Sequence, residues 1–405
     1  QIIHCVNSVH PLSSCQHGFT TGKSTITNLL VTEKLIAEAI NSKHPLDIIA
    51  FDFSRAFDRV PHKRLLQQLS IYGLSDKMVA WVGSFLSNRT QVVKLDQCSA
   101  PSSVTSGVVQ GSVLGGTLFT IYLDSLLSTL DIPVSAYADD FKFVADLLQY
   151  TNLQVQRNIS KVYEWSIEME LPLSLAKCLV AHYGTMNSHF HYFCGKTYLH
   201  EEDHFSDLGI LRSRDMDFRD HMANVAQKAR RLIGLCFRSF TNRDKAFFVK
   251  LYKTYILPVL LYGSHIWSPT YRRDIRAIEK VQRKFSKRIL RSNATYGERL
   301  RALDLLSLES ARCENDMLMV YRILHKLVDI SAADVGLHVC DGVTRGSGLR
   351  LIPPIATSRA ISNMFMCRAT HEWNKLPANI ISCQSLHIFK KRLRCWLQSA
   401  DSVSY

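Results

Sequence analysis

Three carboxylates in this chain stand where short apolar strands give out. Asp139 and Asp140 interrupt the run Val134-Ser135-Ala136-Tyr137-Ala138-Asp139-Asp140-Phe141-Lys142-Phe143-Val144-Ala145, whose two halves each alternate with period two. That pattern reads as a β-hairpin carrying two aspartates at its tip. Asp52 closes a second apolar run, Asp47-Ile48-Ile49-Ala50-Phe51. Adjacent carboxylates repel, and each raises the other's pKa unless a cation lies beside them. An isolated Asp-Asp is ordinarily an exposed turn. A third carboxylate on a second strand end changes the reading, because three such groups can hold two divalent ions for in-line phosphoryl transfer.

The flanking elements supply the frame. Ile26, Leu29, Ile36 and Ile40 give one helical face, with Ser24 or Thr25 as N-cap. Leu65, Leu66 and Leu69 mark a helix over 62–69, and Trp81, Phe85 and Leu86 continue the core. A short strand is expected over Gln91-Val92-Val93-Lys94-Leu95, and an apolar helix over 118–130. Glycines crowd between Gly107 and Gly116, where backbone N–H groups can approach a nucleotide or template strand closely. A helix over 153–165 follows, then a turn and strand around Lys177. Residues 1–22 read as loop-rich. The stretch Gly18-Phe19-Thr20-Thr21-Gly22-Lys23-Ser24-Thr25 is not a P-loop, since its glycines stand one residue too close and no strand leads into it.

From Phe218 onward the chain turns to long basic helices. Met222, Val225, Ala229, Leu232 and Ile233 form one apolar stripe, and Ile275, Ile278, Val281, Phe285 and Ile289 another. Over 272–291 nine basic residues, among them Arg276, Lys280, Arg283, Lys284 and Lys287, face only Asp274 and Glu279. A charge run is usually a solvated face. This imbalance costs self-repulsion unless a polyanion lies nearby, so phosphate contact is the expectation.

Three segments in order, Phe51-Asp52-Phe53-Ser54-Arg55-Ala56-Phe57-Asp58-Arg59-Val60-Pro61-His62, Ser106-Gly107-Val108-Val109-Gln110-Gly111-Ser112-Val113-Leu114 and Tyr137-Ala138-Asp139-Asp140, resemble motifs A, B and C of reverse transcriptases, nearest the non-LTR (LINE-type) retrotransposon branch. Glu372-Trp373-Asn374-Lys375-Leu376-Pro377 and Ser385-Leu386-His387-Ile388-Phe389-Lys390 resemble the tail that follows the polymerase in such elements. The resemblance implies an α+β fold: a right-hand polymerase palm of antiparallel sheet and helices, partial fingers, and a mostly helical thumb and C-terminal region. It implies partial fingers over 1–45, palm over 46–211, a helical basic thumb over 212–335 and a helical tail over 336–405, with a boundary in the irregular stretch Gly336–Pro354.

By the same resemblance, Asp52 and Asp139 would hold two Mg²⁺ ions (Mn²⁺ as substitute), with the Phe53 carbonyl and Asp140 beside them. Phe57 would be the ring that excludes a 2′-hydroxyl, although core packing would place a phenylalanine there equally. Gln110 and Gly111 would line the incoming base pair, and Tyr137 would touch the template–primer. Lys177 would protonate pyrophosphate, against the plain alternative of a solvated lysine. Asp58 reads as a helix cap, and His204–Ile210 as the primer-grip hairpin. The implied activity is RNA-directed DNA polymerisation, with RNA template, DNA primer and deoxynucleoside triphosphates as partners. Two other readings stay open: a decayed element that only binds nucleic acid, and a viral-type RNA-dependent RNA polymerase, against which the aromatic residue at 57 argues. Val109 and Gly116 stand where the family usually has Pro, and Ser174 where Asn is common; none of the three touches the carboxylates.

Bulk composition fits. The 405 residues carry 49 Lys and Arg against 35 Asp and Glu, a net +14, which points first to a polyanionic partner. No stretch reaches the roughly 18 uninterrupted apolar residues of a membrane helix. Eleven cysteines without a CxxC pair read as reduced intracellular thiols, in nucleus or cytoplasm rather than secreted. His189, His191, Cys194, His200 and His204 lie close in sequence but not at zinc-finger spacing, so no structural zinc is expected. With Gln1 in place of an initiating Met and no signal peptide, the chain reads as an internal piece of a longer frame, lacking the upstream fingers and the endonuclease.

Overall fold

A computed structural model describes residues 2–241, 244–340 and 349–404. Part of the expected boundary stretch, 341–348, lies outside the described residues. The chain forms two compact units, one of residues 1–28 and 42–203, the other of 29–41 and 204–405.

In the first unit a five-stranded sheet is built from β1 (Leu46–Phe51), β2 (Val134–Tyr137), β3 (Asp140–Asp146), β4 (Leu179–Tyr183) and β5 (His200–Glu201), in spatial order β2-β3-β1-β4-β5. Every neighbouring pair is antiparallel except β4 with β5. The alternation read from sequence sets the register: Phe51 pairs with Phe141 and Ile49 with Phe143, and the Phe51 and Phe141 rings stack at 4.8 Å. The central strands β1 and β3 are buried on both faces, since consecutive residues, which point to opposite sides, are alike buried. The helix Val113–Leu127 is apolar nearly all round and buried nearly all round. It starts five residues before the expected position, because Ser112 caps it by accepting from the Gly115 N–H at 3.0 Å. The helix Asn152–Glu168 opens on a capping box between Thr151 and Gln154 and brings Trp165 against Tyr122 and Phe53.

Several expectations need correction. Residues 1–22 are not all loop, for Ile2–Val9 forms a helix that buries Ile2 and Val6. The strand expected over 91–95 is instead Arg89–Gln91, paired with Ser102–Val104. Val92, Val93 and Leu95 are exposed, because no second layer covers that two-stranded ribbon. Trp81 is not core: it is 55% exposed and stacks on Phe85, while Val82 and Leu86 take the inner face of the helix Asp76–Leu86.

The second unit is largely helical. A hairpin of His204–Asp207 and Ile210–Ser213 is held by a buried Arg212–Asp207 ion pair of 2.8 Å. The helices Arg219–Ser239, Arg272–Leu290, Leu308–Leu324, Phe365–Lys375 and Leu386–Ser404 carry the core. Both stripes read from sequence face inward, and Phe237, Phe248, Tyr252 and Phe285 stack among them. Trp373 and Asn374 of the tail motif are structural. Trp373 is fully buried and donates to the Leu349 carbonyl, while Asn374 bonds both backbone groups of Leu351. Among the described residues no helix is long and apolar enough to cross a membrane.

Candidate active site

Asp52 follows β1 directly, one step beyond the Phe51–Phe141 pair, so it faces the tip of the β2–β3 hairpin. Its backbone is clamped from the other side: the Ser174 N–H donates to the Asp52 carbonyl at 2.7 Å, and the Ser54 N–H to the Pro172 carbonyl at 2.9 Å. The hairpin is the tight turn read from sequence, with Tyr137 opposite Asp140 and only Ala138 and Asp139 between the strands. Ala138 takes a left-handed φ of +56°, which the reversal at a two-residue turn demands. Asp139 is half-buried, and burial raises its pKa above the ordinary carboxylate value, with the Asp52 charge adding to the rise. Asp140 is exposed at the start of β3.

Lys177 Nζ stands 3.1 Å from Asp52 Oδ2. That oxygen is buried yet accepts no aligned hydrogen bond, so the lysine supplies charge without full coordination. A buried carboxylate oxygen in that state, beside a second carboxylate, is a donor set suited to a hard cation with oxygen ligands.

A hydrogen-bonded seam binds the motif around Asp52 to the glycine-rich loop. The Val108 N–H donates to the Phe57 carbonyl, the Gly107 N–H to the Val60 carbonyl and the Ser106 hydroxyl to the Asp58 carbonyl, all between 2.8 and 2.9 Å. A Cβ on Gly107 would meet Asp58 backbone atoms at 2.7–2.8 Å, so only glycine fits this seam. Asp58 is not a cap. The single turn Ala56–Arg59 begins after Arg55, which makes no side-chain cap, and Asp58 instead accepts from the Gln110 amide at 2.9 Å. Gln110 and Gly111 are both exposed at the loop tip.

Phe57 is half-buried, stacked on Phe119 with centroids 4.3 Å apart and planes 18° apart. Phe19 leans on it edge-on at 5.8 Å. Phe19 itself is 55% exposed with a φ of +56°, and its ring fills the space over Gly116 where any Cβ would collide. The glycine in place of the usual proline is thus matched to Phe19.

Gln16 belongs to no sequence motif named above, yet it braces the site. Its side chain is 1% exposed and lies against the turn that carries Asp139. Oε1 accepts from the Gly18 N–H at 2.7 Å and the Ala138 N–H at 2.9 Å, while Nε2 donates to the Ala138 carbonyl at 3.2 Å. Residues 15–17 also bond the Ala136 backbone as a short parallel bridge. The signal was available only as Gln-x-Gly ahead of a helix, without any local periodicity.

On the helix Arg272–Leu290 of the second unit, Arg276, Lys280, Arg283, Lys284 and Lys287 are exposed. Of the two acids expected to offset them, Glu279 is buried. It accepts from Tyr296 Oη and the Leu308 N–H, so the outer face is more basic than its composition. Arg283 is partly committed, its guanidinium lying 4.3 Å over the Tyr296 ring.

A family model described as reverse transcriptase (RNA-dependent DNA polymerase) matches residues 1–220. The RNA-directed DNA polymerase from mobile element jockey of Drosophila funebris is 25% identical over 319 residues, covering 71% of this chain and 33% of that protein. The putative 115 kDa protein in type-1 retrotransposable element R1DM of Drosophila melanogaster is 28% identical over 234 residues, 54% of this chain and 22% of that one. A telomerase structure from Candida albicans aligns at a TM-score of 0.42 and 11% identity, over 76% of this chain and 58% of that one. The chain spans about a third of the length of the jockey proteins it matches.

Proposed function

Because this chain belongs to the reverse transcriptase family, and its relatives are named for the mobile element jockey and a type-1 retrotransposable element, we propose that it extends a primer 3′-hydroxyl with deoxynucleotides copied from an RNA template during retrotransposition. The observation that carries this reading is Asp52 Oδ2, a buried carboxylate oxygen without an aligned hydrogen bond, facing a hairpin that presents Asp139. Asp52 and Asp139 would hold the divalent ions that the family uses, with the Phe53 carbonyl and Asp140 as further oxygen donors. Held there, such an ion would supply Lewis-acid chemistry, lowering the pKa of the attacking hydroxyl and offsetting charge on the leaving pyrophosphate.

The chain's own groups do the rest. Clamping by Ser174 and by Gln16 holds the two carboxylates in place before substrate arrives, the preorganisation on which electrostatic catalysis depends. Phe57, held flat by Phe119, offers a wall against the sugar and restricts entry to deoxynucleotides. Gln110, steadied by Asp58, and Gly111 meet the nascent base pair, and Tyr137 the primer strand. Lys177, 69% exposed and beside Asp52, can donate a proton to pyrophosphate. The exposed basic helix grips duplex phosphates without reading bases. Eleven unpaired cysteines support work in a reducing compartment, nucleus or cytoplasm.

Primer extension on an RNA template with a DNA primer, deoxynucleotides and Mg²⁺ tests this. Template-directed products that EDTA abolishes and that Asp52→Asn lacks are expected. Duplex binding with no extension would make the chain a nucleic-acid-binding remnant, and preference for ribonucleotides would make it an RNA polymerase.

A further inference from the structure

Away from these carboxylates, a second group of ligand-type side chains gathers at the opposite end of β1. His182 on β4, His189 in the loop after it and Glu201 on β5 each bring one ligand atom within 4.8 Å of the others. Of these three, only His189 belongs to the histidine–cysteine group read from sequence, whose spacing matches no zinc finger. Two features turn this cluster into more than a chance meeting.

The first is an outer layer that orients His182. Asp47 is fully buried, and Oδ1 lies 2.6 Å from His182 Nδ1. A carboxylate only accepts, so Nδ1 carries the proton and Nε2 is the nitrogen with a lone pair. Tyr192 Oη donates to Asp47 Oδ2 at 2.7 Å and the Asn187 amide to Oδ1 at 2.7 Å, so the carboxylate is fixed by neutral donors. Carboxylate–histidine pairs of this kind orient metal-bound imidazoles.

The second is the backbone of the other two ligands. His189 takes a left-handed φ of +51°, and its N–H donates to Asn187 Oδ1 at 2.9 Å. That conformation is costly for a residue with a Cβ, and it swings the ring to 4.8 Å from His182 and its Nδ1 to 2.6 Å from Glu201 Oε1. Glu201 is held opposite by the parallel pairing of Val180 with Glu201.

We propose that His182, His189 and Glu201 form a zinc site, a clip that fastens the segment 184–201 to the sheet, with an open fourth position for water. Two imidazoles and a carboxylate favour Zn²⁺ over the hard ions suited to Asp52 and Asp139. Asp47 precedes Asp52 by five residues, about 16 Å along the strand, so this ion would serve stability rather than phosphoryl transfer.

Co²⁺ titration of the Asp52→Asn/Asp139→Asn chain tests the site with the catalytic carboxylates silenced. One equivalent should bind with the visible bands of a four-coordinate ion and without the near-ultraviolet thiolate-to-metal band that a cysteine ligand gives. Zn²⁺ should displace it and raise the melting temperature. His189→Ala and Glu201→Gln, both at partly exposed positions, should lose that equivalent and the thermal shift, while Cys194→Ser keeps them. Absence of stoichiometric binding at micromolar metal overturns the proposal, as does a thiolate band or binding that survives His189→Ala. Retained extension activity in His189→Ala chains made without these silencing changes fits a stabilising clip, and loss of activity without loss of stability overturns it.

Discussion

Gln16 and Ala138, 122 residues apart in sequence, bond each other as two strand residues would, the side-chain amide taking both backbone groups of the turn residue. The position of Asp139 therefore depends on an uncharged side chain remote in the chain. Gln16→Ala leaves two buried N–H groups without acceptors, at a cost of about 1–3 kcal/mol each. Chemical denaturation should report a loss of that order. Extension rate should fall further than duplex affinity, because the affected turn carries a carboxylate rather than a phosphate contact.

Asp139→Asn should abolish extension and, without divalent metal, raise the melting temperature at pH 7. Burial and the Asp52 charge both disfavour its ionised form, and a neutral amide removes that penalty. Differential scanning calorimetry in EDTA, repeated with excess Mg²⁺, checks this: the advantage over the unaltered chain should shrink once metal is present.

Phe57→Val removes the ring proposed to face the sugar while leaving Phe119 in the core. Competition between ribo- and deoxynucleotides should show discrimination falling by tenfold or more. An unchanged ratio with lowered stability would assign the ring to packing alone.

Lys280 and Lys287 are the better probes of the basic helix, since substituting Arg283 also undoes its stacking on Tyr296. Lys280→Glu with Lys287→Glu should weaken duplex binding for every sequence alike. The slope of log affinity against log salt should drop by about one unit per phosphate contact removed. Fluorescence anisotropy over a salt series measures both.

Glu33 gives a pH signature. Burial raises its pKa to about 8, only partly countered by Arg212 and Arg368. Since the folded value exceeds the unfolded one, its contribution to stability is fully present below about 4.5 and is lost as pH rises through about 8. Glu33→Gln should therefore leave stability nearly unchanged at pH 5 and gain on the order of a few kcal/mol at pH 9. Urea denaturation at the two pH values decides it.

The hairpin around Asp139, the strand before Asp52 and the helical stripes were legible because each is a local period written in side chains. What escaped was non-local or depended on a missing second layer. Val92, Val93 and Leu95 have strand-like types, but nothing covers them. Trp81 sits on a helix whose other face wins the core. Asp58 looked like a cap because it lies near a helix start, whereas its partner is Gln110, 52 residues away. Gln16 likewise reaches Ala138 across 122 residues through a strand-like bridge, and His182, His189 and Glu201, though near in sequence, meet through sheet pairing rather than through a regular spacing.

The division of the chain has a bearing on synthesis and on dissection. Residues 29–41 belong to the same compact unit as 204–405, though more than 160 residues of the other unit separate them. Leu30 and Ala37 are buried there beside Val335, Met364 and Met366. A ribosome releases this helix first and its packing partners last, so its apolar face waits uncovered while the sheet is being made. A gene fragment beginning at His204 would encode a helical body with a furrow in place of that helix, and the peptide 29–41 supplied separately is its natural complement.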